Sequence, residues 1–373
     1  MPLSAVELTR ELIRFKTVNP PGDEQACAGH LARILEGAGF TIELIPFGEG
    51  RAQLLARSAG SSDAPPLCFT GHLDTVPLGA QPWSVDPFAG EIRDGKLYGR
   101  GSSDMKSGVA AFVAAAAEFA GRWAGRPGVL LVITAGEETG CDGAVDLARR
   151  GGLGRAGALV VAEPTGNHPL VGHKGALWLS AQTRGVTAHG SMPEKGVNAI
   201  YAAARAVTKL EQFDFNVARH PVMGPPTLNV GTISGGLNIN SVPDRAVIGV
   251  DLRTIPGQRH AALKEQLASY LGPEVTLEAI MDAESVWTDP DDPWMRQVFA
   301  VVQEITGMAA PVATAPYFTD ASALTPALGA PPTVIVGPGE LALAHQTDEY
   351  CFVDRIEQAA DIYRALIRRW CGF

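Results

Sequence analysis

The chain has 373 residues, 46% hydrophobic and 19% charged, which is globular composition with length for two or three domains. A net charge of -10 argues against a nucleic-acid partner, since such footprints are basic. No apolar run reaches the ~18 residues of a membrane span; the longest, 108–120, is interrupted by Glu118.

The start of the chain lacks a basic, apolar leader, and its five cysteines contain no CxxC pair, so a cytoplasmic protein with reduced thiols is expected. Ser4 with Glu7 reads as a capping box opening a helix through Leu12 and Ile13. The loop at 17–22 reads as a plain turn. A helix over 27–37, a strand over 41–45 and a polar, Ser-rich loop follow. Cys68, Phe69 and Thr70 then form an apolar, β-prone lead into Gly-His-Leu-Asp-Thr-Val-Pro at 71–77, which puts His72 and Asp74 on one face where a strand runs out.

Further on, 83–98 is rich in turn residues, and Gly99-Arg100-Gly101 delivers the chain to Asp104 ahead of a helix over 106–123. An apolar strand over 129–135 ends in Glu137 and Glu138. Another over 158–162 ends in Glu163, and one over 332–336 leads shortly to His345. Four apolar strands thus each hand over to a His or an acid, and in open α/β sheets such ends share a crevice. Between 176 and 281 the order becomes strand, helix, two strands, helix, strand, which suggests a ferredoxin-like insert. The predicted fold class is therefore α/β, a mostly parallel mixed sheet flanked by helices, with an inserted α+β domain. The predicted domains are 1–175 with 282–373, and 176–281. In the last helix, Ile356, Ala360, Tyr363, Ile367 and Trp370 fall on one face and read as core.

Two His (72, 345) and four acids (104, 137, 138, 163) exceed what one tetrahedral metal needs. Imidazole with carboxylate suits zinc, cobalt or manganese. A metal pair sharing Asp104 fits the count, with one acid left to carry protons. Singly, each has a plainer reading: a structural histidine, a solvated Glu pair, a turn acid before proline. The Gly-rich stretches 231–236 and 337–339 lack the lysine and spacing of a phosphate loop.

On these residues the chain resembles the co-catalytic dizinc amidohydrolases that include acetylornithine deacetylase, succinyl-diaminopimelate desuccinylase, aminoacylase and glutamate carboxypeptidase. The likeness extends to Gly-Arg-Gly-Ser-Ser-Asp-Met-Lys-Ser-Gly at 99–108, Gly-Glu-Glu-Thr-Gly at 136–140, Glu-Pro-Thr at 163–165, Ala-His-Gly-Ser-Met-Pro at 188–193, Asn-Ser-Val-Pro-Asp at 240–244 and Ala-His-Gln-Thr-Asp-Glu at 344–349. It implies two zinc ions per subunit, replaceable by cobalt or manganese: His72 and Glu163 on one, Glu138 and His345 on the other, Asp104 bridging. It further implies that the Asp74 carboxylate orients the His72 ring and that Glu137 is the general base. His189 would stabilise the oxyanion from the partner subunit of a homodimer formed through the insert. Arg253 and Asn240 resemble groups that hold a substrate carboxylate, Asp320 is placed to face a cationic side chain, and Met192 stands where relatives differ. The implied substrate is an N-acyl amino acid, closest to the acetylornithine deacetylases. A desuccinylase, a dipeptidase or carboxypeptidase, and an inactive metal-bound scaffold are the alternatives.

Overall fold

The structure, a computed structural model, describes residues 3–373; residues 1 and 2, where the first predicted domain begins, lie outside the described residues. The chain forms two compact units. Among the described residues, one comprises 3–172, Trp287–Ala315 and Thr319–Phe373, the other His173–Val286 and Pro316–Phe318.

The first unit is built on a six-stranded sheet. Its strands lie in the order Thr41–Gly48, Arg51–Arg57, Val129–Thr134, Leu67–His72, Ala158–Val161, Thr333–Ile335. The last four are mutually parallel and the first two antiparallel, so the sheet is mixed and mostly parallel. The strands Leu67–His72 and Val129–Thr134 are buried throughout, as continuous apolar runs in a doubly covered sheet require. Helix Ser107–Ala117 is buried from Ser107 to Ala116 and packs with the long helix Val353–Cys371. There Phe69, Phe112 and Tyr363 meet, and the Tyr363 hydroxyl donates to the Val336 carbonyl at 2.6 Å.

Local chemistry explains the helix ends. Ser4 accepts from the Glu7 N–H at 3.3 Å, while the Glu7 carboxylate turns to Arg10, so only half of the capping box forms. The helix predicted over 106–123 stops at Ala117, and Phe119 and Trp123 instead pack on Phe373 from the turns that follow. Strand Arg51–Arg57 replaces part of the expected polar loop. Within it Gln53 is fully buried, and its amide donates to Asp146. The helices Asp142–Arg150 and Pro293–Thr306 are further elements not expected from the sequence.

The second unit has the order strand, helix, strand, strand, helix, strand, and its antiparallel sheet runs Thr227–Gly235, Arg245–Thr254, Gly175–Arg184, Val275–Ala283. That is the ferredoxin-like arrangement. Helices Ala199–Glu211 and His260–Leu271 cover the face carrying Leu177, Leu179, Ile248, Val250 and Leu252. Trp178 and Arg253, whose residues alternate with these along the strands, remain partly exposed. All five cysteines are free and buried, and no helix among the described residues is long and apolar enough to cross a membrane.

Candidate metal centre

Three neighbouring parallel strands of the first unit end side by side. His72 is the last residue of its strand, Glu137 and Glu138 follow the strand ending at Thr134, and Glu163 follows the one ending at Val161. Asp104 joins them from an irregular turn over 102–106 that leads into helix Ser107–Ala117. Gly108 lets that helix approach: a Cβ there would lie 2.2 Å from the Ala162 carbonyl oxygen, next to Glu163. His345 arrives from the stretch after strand Thr333–Ile335, with its backbone at φ 63°.

The two oxygens of Asp104 face two different imidazoles. Oδ1 is 3.2 Å from His72 Nε2, and Oδ2 is 3.5 Å from His345 Nε2. Glu163 Oε1 lies 3.8 Å from His72 Nε2, and Glu138 Oε2 lies 3.2 Å from His345 Nε2. Donor atoms of His72, Asp104 and Glu163, and separately of Asp104, Glu138 and His345, all fall within 4.8 Å of one another. The Glu137 carboxylate reaches into the same cluster, with Oε2 4.0 Å from His72 Nε2.

Two imidazoles among four buried or half-buried carboxylates leave negative charge uncompensated. Burial pushes the carboxyls of Glu137 and Glu163 well above the usual range, the charge of Asp104 adding to the effect on Glu163. Burial also works to raise Asp104, but the hydrogen bonds from His345 and His72 outweigh it and hold the group low. The His345 imidazole is pushed up to about 10 by its bonds to Asp104 and Glu138. Glu138 Oε1 is buried without a hydrogen-bond partner. An acid surplus, one orphaned carboxylate oxygen and a mixed N/O donor set fit divalent cations.

The surroundings fix this geometry. His72 Nδ1 donates to the main-chain oxygen of Asp74 at 2.9 Å, which leaves Nε2 for the cluster. The expected partner, the Asp74 carboxylate, is 3.7 Å from that nitrogen. It accepts instead from the N–H groups of Glu137 (3.1 Å) and Glu138 (3.2 Å) and from the Asn19 amide (2.8 Å), buried donors that need an acceptor. The loop at 17–22 is more than the plain turn its composition suggests. In the structure Thr17 Oγ1 also donates to the Leu73 carbonyl at 2.6 Å, so the loop buttresses the site. The Cys141 thiol, likewise unassigned from sequence, lies 3.6 Å from Glu137 Oε1. Asp320, which the resemblance turns toward a cationic side chain, is 2% exposed and takes the Thr134 hydroxyl at 2.5 Å. Burial pushes its carboxyl up to about 6.

The other four predicted residues belong to the second unit. His189 is exposed, its Nδ1 2.8 Å from Ser191 Oγ, and its strand-like segment pairs with Ser241, next to Asn240. Met192 is 40% exposed. Arg253 bonds Asp251 through Nε and Nη2, the strand ion pair that an arginine there commonly makes.

Compared with known proteins, the sequence matches a family profile described as Peptidase family M20/M25/M40 over residues 68–369. It is 31% identical to an acetylornithine deacetylase of Proteus mirabilis (strain HI4320), with 98% of this chain and 96% of that protein covered. It is 33% identical to a succinyl-diaminopimelate desuccinylase of Stenotrophomonas maltophilia (strain K279a), with 98% and 99% covered. In fold it is similar to an M20 family metallo-carboxypeptidase from Sulfolobus solfataricus, with a TM-score of 0.77 at 18% identity, covering 98% of this chain and 99% of that one.

Proposed function

The chain belongs to peptidase family M20/M25/M40 and is a metal-dependent amide hydrolase, and from that premise we propose that it removes the acyl group from an N-acyl-L-amino acid. The observation that carries the reading is the pair of imidazoles facing opposite oxygens of Asp104. His72, Asp104 and Glu163 would hold one cation, and Asp104, Glu138 and His345 a second. Zinc is the ion that best suits this donor set, with cobalt or manganese as substitutes. When bound, such a pair polarises the scissile carbonyl and makes a water acidic near neutral pH.

The remaining work falls to the chain. Glu137, its Oε2 turned toward His72, takes a proton from the attacking water and passes it to the departing amine. Asp74 fixes the His72 ring through its carbonyl and the Glu137–Glu138 backbone through its carboxylate. His189 is assigned the developing oxyanion, across the interface of a homodimer formed by the second unit, which acts as lid and dimerisation domain. Arg253, with its planar guanidinium, and Asn240 are assigned the substrate carboxylate, and Met192 the wall of the acyl pocket. Five free cysteines suit the reducing cytoplasm.

The test is amine release by metal-free protein reloaded with zinc or cobalt, across N-acetyl, N-formyl and N-succinyl amino acids and several dipeptides. Metal-dependent cleavage of one acyl class supports the reading and names the substrate. The similar identities to a deacetylase and a desuccinylase make the N-succinyl amino acid the second reading, separated by the same panel. Cleavage of dipeptides alone would replace the deacylase reading with a peptidase.

A further inference from the structure

Beside the cation-facing acids the first unit buries another carboxylate completely. Glu349 is 0% exposed and receives four donors. Its Oε1 accepts from the N–H of Ser103 at 2.8 Å and of Asp104 at 3.0 Å. Its Oε2 accepts from the N–H of Gly101 at 3.0 Å and from Arg100 Nη1 at 2.6 Å. Arg100, 1% exposed, sends Nη2 to the Pro77 carbonyl at 3.1 Å, at the end of the 71–77 stretch that bears His72 and Asp74. The backbone of the same segment adds two ties: the Gly99 N–H donates to the Glu349 carbonyl at 2.9 Å, and Ser103 Oγ to the Tyr350 carbonyl at 2.8 Å.

One carboxylate therefore joins three segments: 345–350 with His345, 99–104 with Asp104 and, through Arg100, 71–77 with His72. A buried ion pair is by itself a poor source of stability, because desolvation offsets its attraction. What this pair supplies is geometry. The turn before Asp104 points three N–H groups inward, such a concave set of donors needs an anion, and here the anion is part of the protein. With its own N–H fixed, Asp104 can present one oxygen to each imidazole.

We propose that Glu349, braced by Arg100, is a positioning residue that sets the backbone of Asp104 for shared use by the two cations. The proposal rests on the reading of Asp104 as the bridging ligand. Its test is calorimetric titration of metal-free protein with zinc alone, comparing wild type, Glu349→Gln, the double variant Arg100→Met with Glu349→Gln, and Leu366→Ala. The double variant removes both buried charges at once and keeps the fold accessible. Leu366, fully buried in the last helix, is the control for a purely structural loss.

Both Glu349 variants are expected to bind zinc ~10–100-fold more weakly, the usual cost of losing a group that orients a ligand. Leu366→Ala should melt earlier with wild-type zinc affinity. In metal-free wild type, amide exchange at Gly101, Ser103 and Asp104 should be slow, because the clamp exists before metal arrives. That second measurement decides the matter if neither Glu349 variant folds. Wild-type affinity in a folded variant, or fast exchange at all three amides, overturns the proposal. If the wild type takes up no zinc, the reading of the site falls and the proposal with it; if it does and the variants match it, the proposal alone falls.

Discussion

Glu137 and Glu138 are sequence neighbours whose side chains part at the turn: one carboxylate lies 4.0 Å from His72, the other 3.2 Å from His345. Their substitutions should therefore separate. Glu137→Gln keeps a full metal complement and loses ~10²–10⁴-fold in turnover, the usual worth of a positioned base. Glu138→Gln loses metal first, and elemental analysis beside turnover distinguishes the two. A metal-replete Glu137→Gln within threefold of wild type would remove Glu137 from the chemistry. The sequence announced these two acids because they end an apolar run. Asn19 carried no such signal: its amide reaches Asp74 across 55 residues, from a proline-rich loop whose composition says only turn. The partners of the Asp74 carboxylate were illegible for a related reason. Strand periodicity fixes the face of a side chain, whereas its partner depends on which buried donors lie nearby in space.

At the level of elements, the parallel strands were legible because doubly covered strands are unbroken apolar runs. Strand Arg51–Arg57 was not, since it begins and ends in arginine, contains no β-branched residue and buries Gln53; its place between Thr41–Gly48 and Val129–Thr134 overrides its composition. The contact of helix Ser107–Ala117 with the strand end at Ala162 gives a test of sign. Gly→Ala inside a helix ordinarily stabilises by ~1 kcal/mol. At Gly108 the new Cβ would meet the Ala162 oxygen at 2.2 Å, so overpacking of ~1–3 kcal/mol should win. Gly108→Ala should lower the urea midpoint and, by shifting Glu163, weaken zinc binding; a stabilised variant would mean that the helix slides freely. The short strand Gly172–His173 offers a pH test. His173 is fully buried, Nδ1 bonded to the Lys174 carbonyl and Nε2 without a partner, and burial lowers its pKa from 6.5 to about 4. The unfolded chain takes up this proton near pH 6.5 and the folded chain does so only near pH 4. Stability from this residue is therefore whole above about 6.5 and falls as pH drops toward 4, by ~3 kcal/mol. Urea unfolding of metal-free protein should show that loss, and His173→Asn should flatten it. Equal slopes in the two proteins would assign the acid sensitivity elsewhere.

For the whole molecule, the proposed homodimer can be tested at the second unit. Its edge strand Thr227–Gly235 pairs on one side only, and around it Tyr201 (66%), Ile233 (54%), Leu237 (100%) and Ile239 (104%) stand exposed. An apolar, unpaired strand edge invites a second copy of itself. Light scattering should give twice the chain mass, and Ile233→Glu with Tyr201→Glu should halve it. If His189 serves the neighbouring subunit, each single-site variant, Glu137→Gln or His189→Ala, is inactive by itself. A mixed dimer, however, has one complete site: the Glu137 of one chain with the His189 of the other. Equal mixing through unfolding and refolding yields half mixed dimers with one of two sites complete, so activity should return to about a quarter of wild type. Recovery after mixing requires both dimerisation and a histidine acting in trans. A dimer that shows no recovery would return His189 to its own subunit, and an active monomer would remove both the interface and the trans role from the mechanism.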